Sequence, residues 1–213
     1  MQELAADPSS RKRFLSMMGG AGAAGAFAIF LAACGDDEDD EAASTTESDS
    51  KAASKGDLEI VSYALTLEYL ETDFYNAVLD SGVIKDKALG ETAMAIRDNE
   101  QEHVDALVMT VKQLGGKPSR PKTTFDAVIE GGPDKVLETA ATVENLGAAA
   151  YLGQAPRIKS KEVLAAALAI HSVEARHAAA LNQVVGKTIV PDGAFAKPAS
   201  MAQVLPQVKP FLA

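Results

Sequence analysis

Two short stretches decide how this chain folds: Glu100-Gln101-Glu102-His103 and Glu174-Ala175-Arg176-His177. Each reads E-x-x-H, a spacing that sets a carboxylate and an imidazole one turn apart on the same helix face. The chain has three histidines, and two of them stand in this context. Chance would produce that on the order of one time in a hundred. Both motifs fall on apolar stripes of helical period. Ile96, Glu100, His103, Leu107 and Leu114 share one face, and Ala167, Ile170, Glu174, His177 and Leu181 share another. Charged groups on a core-facing stripe are costly unless something compensates them.

Working outward, apolar residues recur at three- and four-residue spacing over 57–80, 87–114, 133–155 and 160–186, which predicts four helices. Gly82, Gly115-Gly116 and Gly186 mark stops, and Pro133 suits a first helical turn. Short loops join the first helix to the second and the third to the fourth, so each pair is expected to form an antiparallel hairpin. The long connection from Gly115 to Gly132, with Pro118 and Pro121, predicts a crossover that makes the second and third helices parallel. Strand-like alternation is nowhere sustained. The expected fold is all-α, a four-helix bundle over 57–186. Residues 187–213 read as a loop-like extension with a short helix near Met201–Leu205.

The other two predicted helices carry a matching pair. Glu68 precedes Tyr75 by seven residues, and Glu144 precedes Tyr151 by seven, nearly two turns along one face. The chain therefore divides into related halves, with 32 residues from Glu68 to Glu100 and 30 from Glu144 to Glu174. This reads as an internal repeat with pseudo-twofold symmetry. Four carboxylates and two imidazoles meeting inside a bundle would need about two divalent cations to cancel their charge. Oxygen and imidazole donors suit iron or manganese, and the lack of thiolate argues against structural zinc. For either E-x-x-H alone, a surface glutamate beside a satisfied core histidine explains the pattern equally well. For the whole set in this order it does not.

Four neighbours keep alternatives open. Glu71, one turn after Glu68, could be ligand, outer support or surface group; the tyrosine spacing ranks Glu68 ahead of it. His171, one turn before Glu174, reads as a supporting or pocket group rather than a seventh ligand. Tyr75 and Tyr151 are candidate catalytic residues, as hydrogen-bond donors to ligands or holders of an oxidising equivalent, with aromatic packing as the competing reading.

Composition varies along the chain. Of 213 residues 47% are apolar, enough for a real core, and the formal net charge is −10. An acidic chain is not expected to bind nucleic acid. One cysteine excludes an internal disulfide framework and any Cys-rich metal site. Residues 1–34 read as an export signal: Arg11-Lys12-Arg13, then an uncharged Gly/Ala-rich run from Phe14 to Ala33. A membrane-spanning helix is the alternative, but the run is only mildly hydrophobic. Its end, Leu31-Ala32-Ala33-Cys34, resembles the lipobox of bacterial lipoproteins, which implies lipid attachment at Cys34. Ser10-Arg11-Lys12-Arg13-Phe14-Leu15 resembles a twin-arginine motif with Lys12 in place of the second arginine, so either the twin-arginine (Tat) or the general (Sec) route is open. Residues 35–56 hold eight acids and two lysines, a net −6, and read as a disordered tether.

Residues 57–186 resemble the ferritin-like superfamily, most closely the exported ferritin-like domain proteins that include desiccation-related proteins. The segments that carry the likeness are Ala64-Leu65-Thr66-Leu67-Glu68-Tyr69-Leu70-Glu71 through Phe74-Tyr75, and Glu144 through Ala150-Tyr151-Leu152-Gly153. The symmetrical residue set resembles bacterioferritin and rubrerythrin more than ferritin itself, which lacks the second Glu-x-x-His. The resemblance implies Glu68, Glu100, His103, Glu144, Glu174 and His177 as ligands of two iron ions, with manganese as the alternative, and Glu100 and Glu174 as bridges.

The leading functional expectation is an oxidoreductase of ferroxidase or peroxide-detoxifying type, with dioxygen, peroxide or Fe(II) as small substrates. It would be lipid-anchored through Cys34 in a bacterial cell envelope, with a homodimer as an option. A non-catalytic envelope protein for stress or desiccation protection is the alternative from another class. Iron storage is a third, weakened because a lipid tether on each subunit would complicate a closed shell.

Overall fold

The computed structural model describes residues 47–213, with side-chain surroundings from residue 55 onward. The predicted export signal, Cys34 and the first half of the predicted tether lie outside the described residues. In chain order the helices are α1 (Glu47–Ser81), α2 (Lys87–Gln113), α3 (Asp126–Glu130), α4 (Gly132–Gln154), α5 (Lys161–Val184) and α6 (Met201–Val208). Short 3-10 turns cover Ala155–Arg157 and Lys209–Phe211. Among the described residues the only β-pairing is one isolated bridge, Thr123 with Leu212, so the chain is all-α as expected. None of these helices is long and apolar enough to cross a membrane.

Local chemistry sets the ends of the long helices. Asp86 caps α2 by accepting from the Leu89 N–H at 2.9 Å, and Ser160 caps α5 by accepting from Val163. Gly82, Gly115 and Gly186 terminate α1, α2 and α5 with φ between +60° and +81°, the left-handed region that glycine enters without strain. Two bounds differ from expectation. Helix α1 starts at Glu47, ten residues earlier than read, inside the segment taken as tether. The stretch 47–55 holds Ala, Lys and Glu, strong helix formers, and it continues a packed helix that needs no new nucleus. At the C-terminus the short helix runs on to Val208, with Pro206 inside it, because Val204 and Val208 are buried in the main core.

Hydrogen bonds between the helices give their directions. Tyr75 meets Glu144 while Tyr151 meets Glu68, so α1 and α4 run antiparallel. Arg97 meets Asn76 while His103 meets Glu68, so α1 and α2 are antiparallel too. Helices α2 and α4 are therefore parallel, and residues 114–131 form the predicted crossover. Arg120 pins this crossover by pairing with Asp73 and stacking 4.7 Å over the Tyr69 ring. Phe125 wedges between Phe74 and Phe211, and the Thr124 N–H donates to the Phe211 carbonyl. At the other end of the bundle Asp57, 1% exposed, accepts from the Lys159 and Ser160 amides and ties the base of α1 to the start of α5. Two apolar clusters make up the core, one around Leu70, Phe74 and Val78 and one around Val61, Leu65 and Leu107.

Candidate metal centre

Each of the four long helices places one fully buried glutamate in the bundle: Glu68 from α1, Glu100 from α2, Glu144 from α4 and Glu174 from α5, all 0% exposed. Two imidazoles join them. His103 Nδ1 lies 3.0 Å from Glu100 Oε2, 3.1 Å from Glu68 Oε2 and 3.2 Å from Glu174 Oε1. His177 Nδ1 lies 2.9 Å from Glu100 Oε1 and 3.3 Å from Glu144 Oε2. One oxygen of Glu100 thus faces each histidine. The six residues form two overlapping sets, Glu68/Glu100/His103/Glu174 and Glu100/Glu144/Glu174/His177, each offering four donor atoms within 4.8 Å of one another. Glu100 and Glu174 are common to both.

Both tyrosines reach across the bundle to the two glutamates that are not shared. Tyr75 donates to Glu144 Oε1 at 2.6 Å, and Tyr151 donates to Glu68 Oε1 at 2.5 Å. Burial, and then the adjoining carboxylate, pushes both phenols well above their ordinary range, so they remain donors. Each leaves its glutamate with a second oxygen aimed into the cluster.

Glu71 is also drawn in. It is 2% exposed, its Oε2 has no hydrogen-bond partner, and after burial the charges of Glu174, Glu68 and Glu144 act on it. It belongs to neither four-residue set. His171 is half-buried, its Nδ1 is enclosed without a partner, and it makes no hydrogen bond or ion pair with the six residues.

Two further residues shape the site and escaped the reading of the sequence. Asn99 Oδ1 lies 3.2 Å from His177 Nε2, which orients that ring with Nδ1 inward. Gly147 faces the cluster from α4: a Cβ there would sit 2.8 Å from Glu71 Oε1 and 3.0 Å from Glu174 Oε2. A signal for both existed. Asn99 immediately precedes an E-x-x-H, and Gly147 interrupts a helix, which costs about 0.5–1 kcal/mol relative to alanine and calls for a reason. In the internal repeat Gly147 stands where the first half has Glu71.

The electrostatics describe a cluster short of positive charge. Burial pushes Glu68 up to about 7, against the lowering effect of His103. Burial first and neighbouring carboxylates second raise Glu71 and Glu174 well above the usual carboxylate range, and burial raises Glu144. Glu100 alone moves down, because the imidazoles of His103 and His177 beside it outweigh its burial. Burial pulls both imidazoles toward neutrality, but carboxylates overcome it: His177 is pushed up to about 9 and His103 well above its ordinary value. Protons therefore supply the balancing charge here.

The donor set fits divalent cations. Glu100 Oε1, Glu144 Oε2, both oxygens of Glu174 and His177 Nδ1 are all buried without an aligned hydrogen bond, although several approach one another within 3.3 Å. Lone pairs so placed point at common centres rather than at each other, and an oxygen-rich set with one imidazole per centre suits iron or manganese. The family model described as ferritin-like domain matches residues 56–187. None of the curated proteins compared with the chain is a match.

Proposed function

The chain belongs to the ferritin-like domain family, and from that premise we propose that its buried cluster is a di-metal centre that reacts with dioxygen or peroxide. The observation that carries this reading is the pair of overlapping four-donor sets sharing Glu100 and Glu174. Glu68 and His103 would hold one ion, Glu144 and His177 the other, with Glu100 and Glu174 between them. Iron is the first choice of metal and manganese the alternative. Two ferrous ions, when bound, supply one electron each, enough with two protons to take dioxygen to hydrogen peroxide, or peroxide to two waters.

The protein's own part is positioning, charge and protons. Tyr75 and Tyr151 hold one oxygen of Glu144 and of Glu68, leaving the other oriented inward. Asn99 holds the His177 ring. Glu71 lies in the cluster outside both sets, and burial followed by the neighbouring carboxylates pushes its carboxyl well above the ordinary range, so it is our candidate for a proton donor beside the reacting centre. Fully buried carboxylates leave little room for bulk water, so these interactions act undiluted.

Anaerobic titration of metal-stripped protein with Fe(II), followed by dioxygen or peroxide, tests the reading. Two ions per chain and oxidant-dependent oxidation are expected. Fewer than two ions, or metal content unchanged in His177→Ala, would refute it; binding without turnover would favour the protective, non-catalytic reading. We further propose an exported protein of the desiccation-related type, lipid-anchored in the bacterial envelope at Cys34. Metabolic labelling with a fatty acid should mark the wild type and not Cys34→Ser.

A further inference from the structure

The two four-donor sets differ in how their atoms are engaged with one another. In the Glu144/His177 set every residue offers a buried atom without an aligned hydrogen bond: Glu100 Oε1, Glu144 Oε2, both oxygens of Glu174 and His177 Nδ1. The Glu68/His103 set is bonded to itself. His103 Nδ1 is hydrogen-bonded to Glu68 Oε2 at 3.1 Å and to Glu100 Oε2 at 3.0 Å, and the other Glu68 oxygen accepts from Tyr151. The unbonded oxygens of this set all come from Glu100 and Glu174, which both sets share.

A buried polar atom without a partner costs free energy that a ligand recovers, whereas atoms already paired must first give up their bonds. The Glu144/His177 set therefore gains more from a cation than the Glu68/His103 set. The rings widen the difference. His177 Nε2 lies 3.2 Å from Asn99 Oδ1, which fixes the ring with Nδ1 inward. Such an outer partner is worth about 10–100-fold in metal affinity. Among the described residues no side chain holds His103 Nε2 in this way. Burial does not separate the two histidines, each 8% exposed. We propose that the centre fills in a fixed order. The first ion is held by Glu144 and His177 with Glu100 and Glu174; the second, weaker and exchangeable, sits at Glu68 and His103. Asn99 is the positioning residue that widens the gap between them. The proposal rests on reading the cluster as a di-metal centre, and it gives the protein a stable one-ion form.

Cobalt(II) tests the order without oxidation chemistry. Metal-stripped protein titrated with Co(II) is expected to bind two ions in two steps, at least about tenfold apart in affinity. Crystals grown with one equivalent are expected to show the cobalt anomalous peak beside Glu144 and His177. A brief chelator wash of the fully loaded protein should remove the ion beside His103 first. Asn99→Val should narrow the gap between the steps at least about tenfold, and Asn99→Asp should restore it. Equal loss at both steps, as a merely structural role would give, would overturn the part assigned to Asn99. If that variant does not fold, the wild-type crystals still decide the order. A first peak beside Glu68 and His103, equal occupancy of both positions, or two ions entering in one step would overturn the order alone. Fewer than two ions in the wild type would sink the reading of the cluster and the order with it.

Discussion

The hairpin α1–α2 and the hairpin α4–α5 carry the same residues at the positions that meet in the centre, and different ones immediately beside them. Glu68 matches Glu144, Tyr75 matches Tyr151, and Glu100/His103 matches Glu174/His177. Beside them Glu71 stands opposite Gly147, Asn99 corresponds to Val173, and Arg97 corresponds to His171. The two tyrosine bonds, 2.6 and 2.5 Å, show how closely the shared part is duplicated. The departures make the two four-donor sets unequal. His177 has its outer nitrogen held by Asn99, whereas among the described residues no side chain bonds the Nε2 of His103. One half carries a carboxylate at 71 and the other no side chain at 147, so a single volume is filled from one side only.

The largest expected effect separates shared from unshared residues. Glu100→Ala removes a donor from both sets and should leave no metal that survives desalting, whereas Glu144→Ala should retain one ion per chain, as read by elemental analysis. Equal losses would break the view that the two sets overlap. Next comes the asymmetry at Asn99. Asn99→Val makes that position like its counterpart Val173 and should weaken binding at the His177 set about 10–100-fold, the usual cost of losing a histidine's outer partner. Competition with a chelator would show it, and Asn99→Asp should restore most of the affinity.

A smaller effect is expected at Gly147. Gly147→Ala puts a methyl 2.8 Å from Glu71 Oε1 and 3.0 Å from Glu174 Oε2, so affinity should fall about tenfold through displaced carboxylates. The metal-free protein should keep its melting temperature, because alanine favours the helix by about 0.5–1 kcal/mol. The double variant Gly147→Ala/Glu71→Ala should recover affinity; a strictly additive result would show that the two positions do not share one space.

The smallest effect is on pH dependence. Glu68, raised from its ordinary range to about 7, and His177, raised to about 9, both bind protons more tightly folded than unfolded. Stability from such groups is present at low pH and lost as pH rises through the folded values. Metal-stripped protein should therefore melt at progressively lower temperature from pH 6 to pH 9. Loaded protein should not, because cations replace the protons.

Much of the fold was legible because it is written in local periods. The 3.6-residue stripes, Pro133 and the glycine stops located the long helices to within a few residues at every end but the start of α1, and the loop lengths gave the hairpins and the crossover. Helix α3 was missed because five residues cannot display a helical period, and the start of α1 was misread because a low-complexity stretch is also a good helix former. For the candidate site, Glu68, Glu100, His103, Glu144, Glu174 and His177 were legible because repeat spacing and helix face are properties of single helices. The structure brings these six together, adds Glu71 and leaves His171 apart from them.

By itself the sequence determined four helices of apolar period, two duplicated halves and the carboxylates and imidazoles set on their core-facing stripes. Tertiary structure alone decided which oxygen faces which nitrogen, that Glu100 and Glu174 serve both sets, that Asn99 crosses to the other hairpin's histidine, and that Gly147 makes room for Glu71. The physical reason is range. A period along one helix is set by backbone geometry within a few residues. Distances of about 3 Å between helices depend on how each one is rotated and displaced against its neighbours, which packing of the whole core determines.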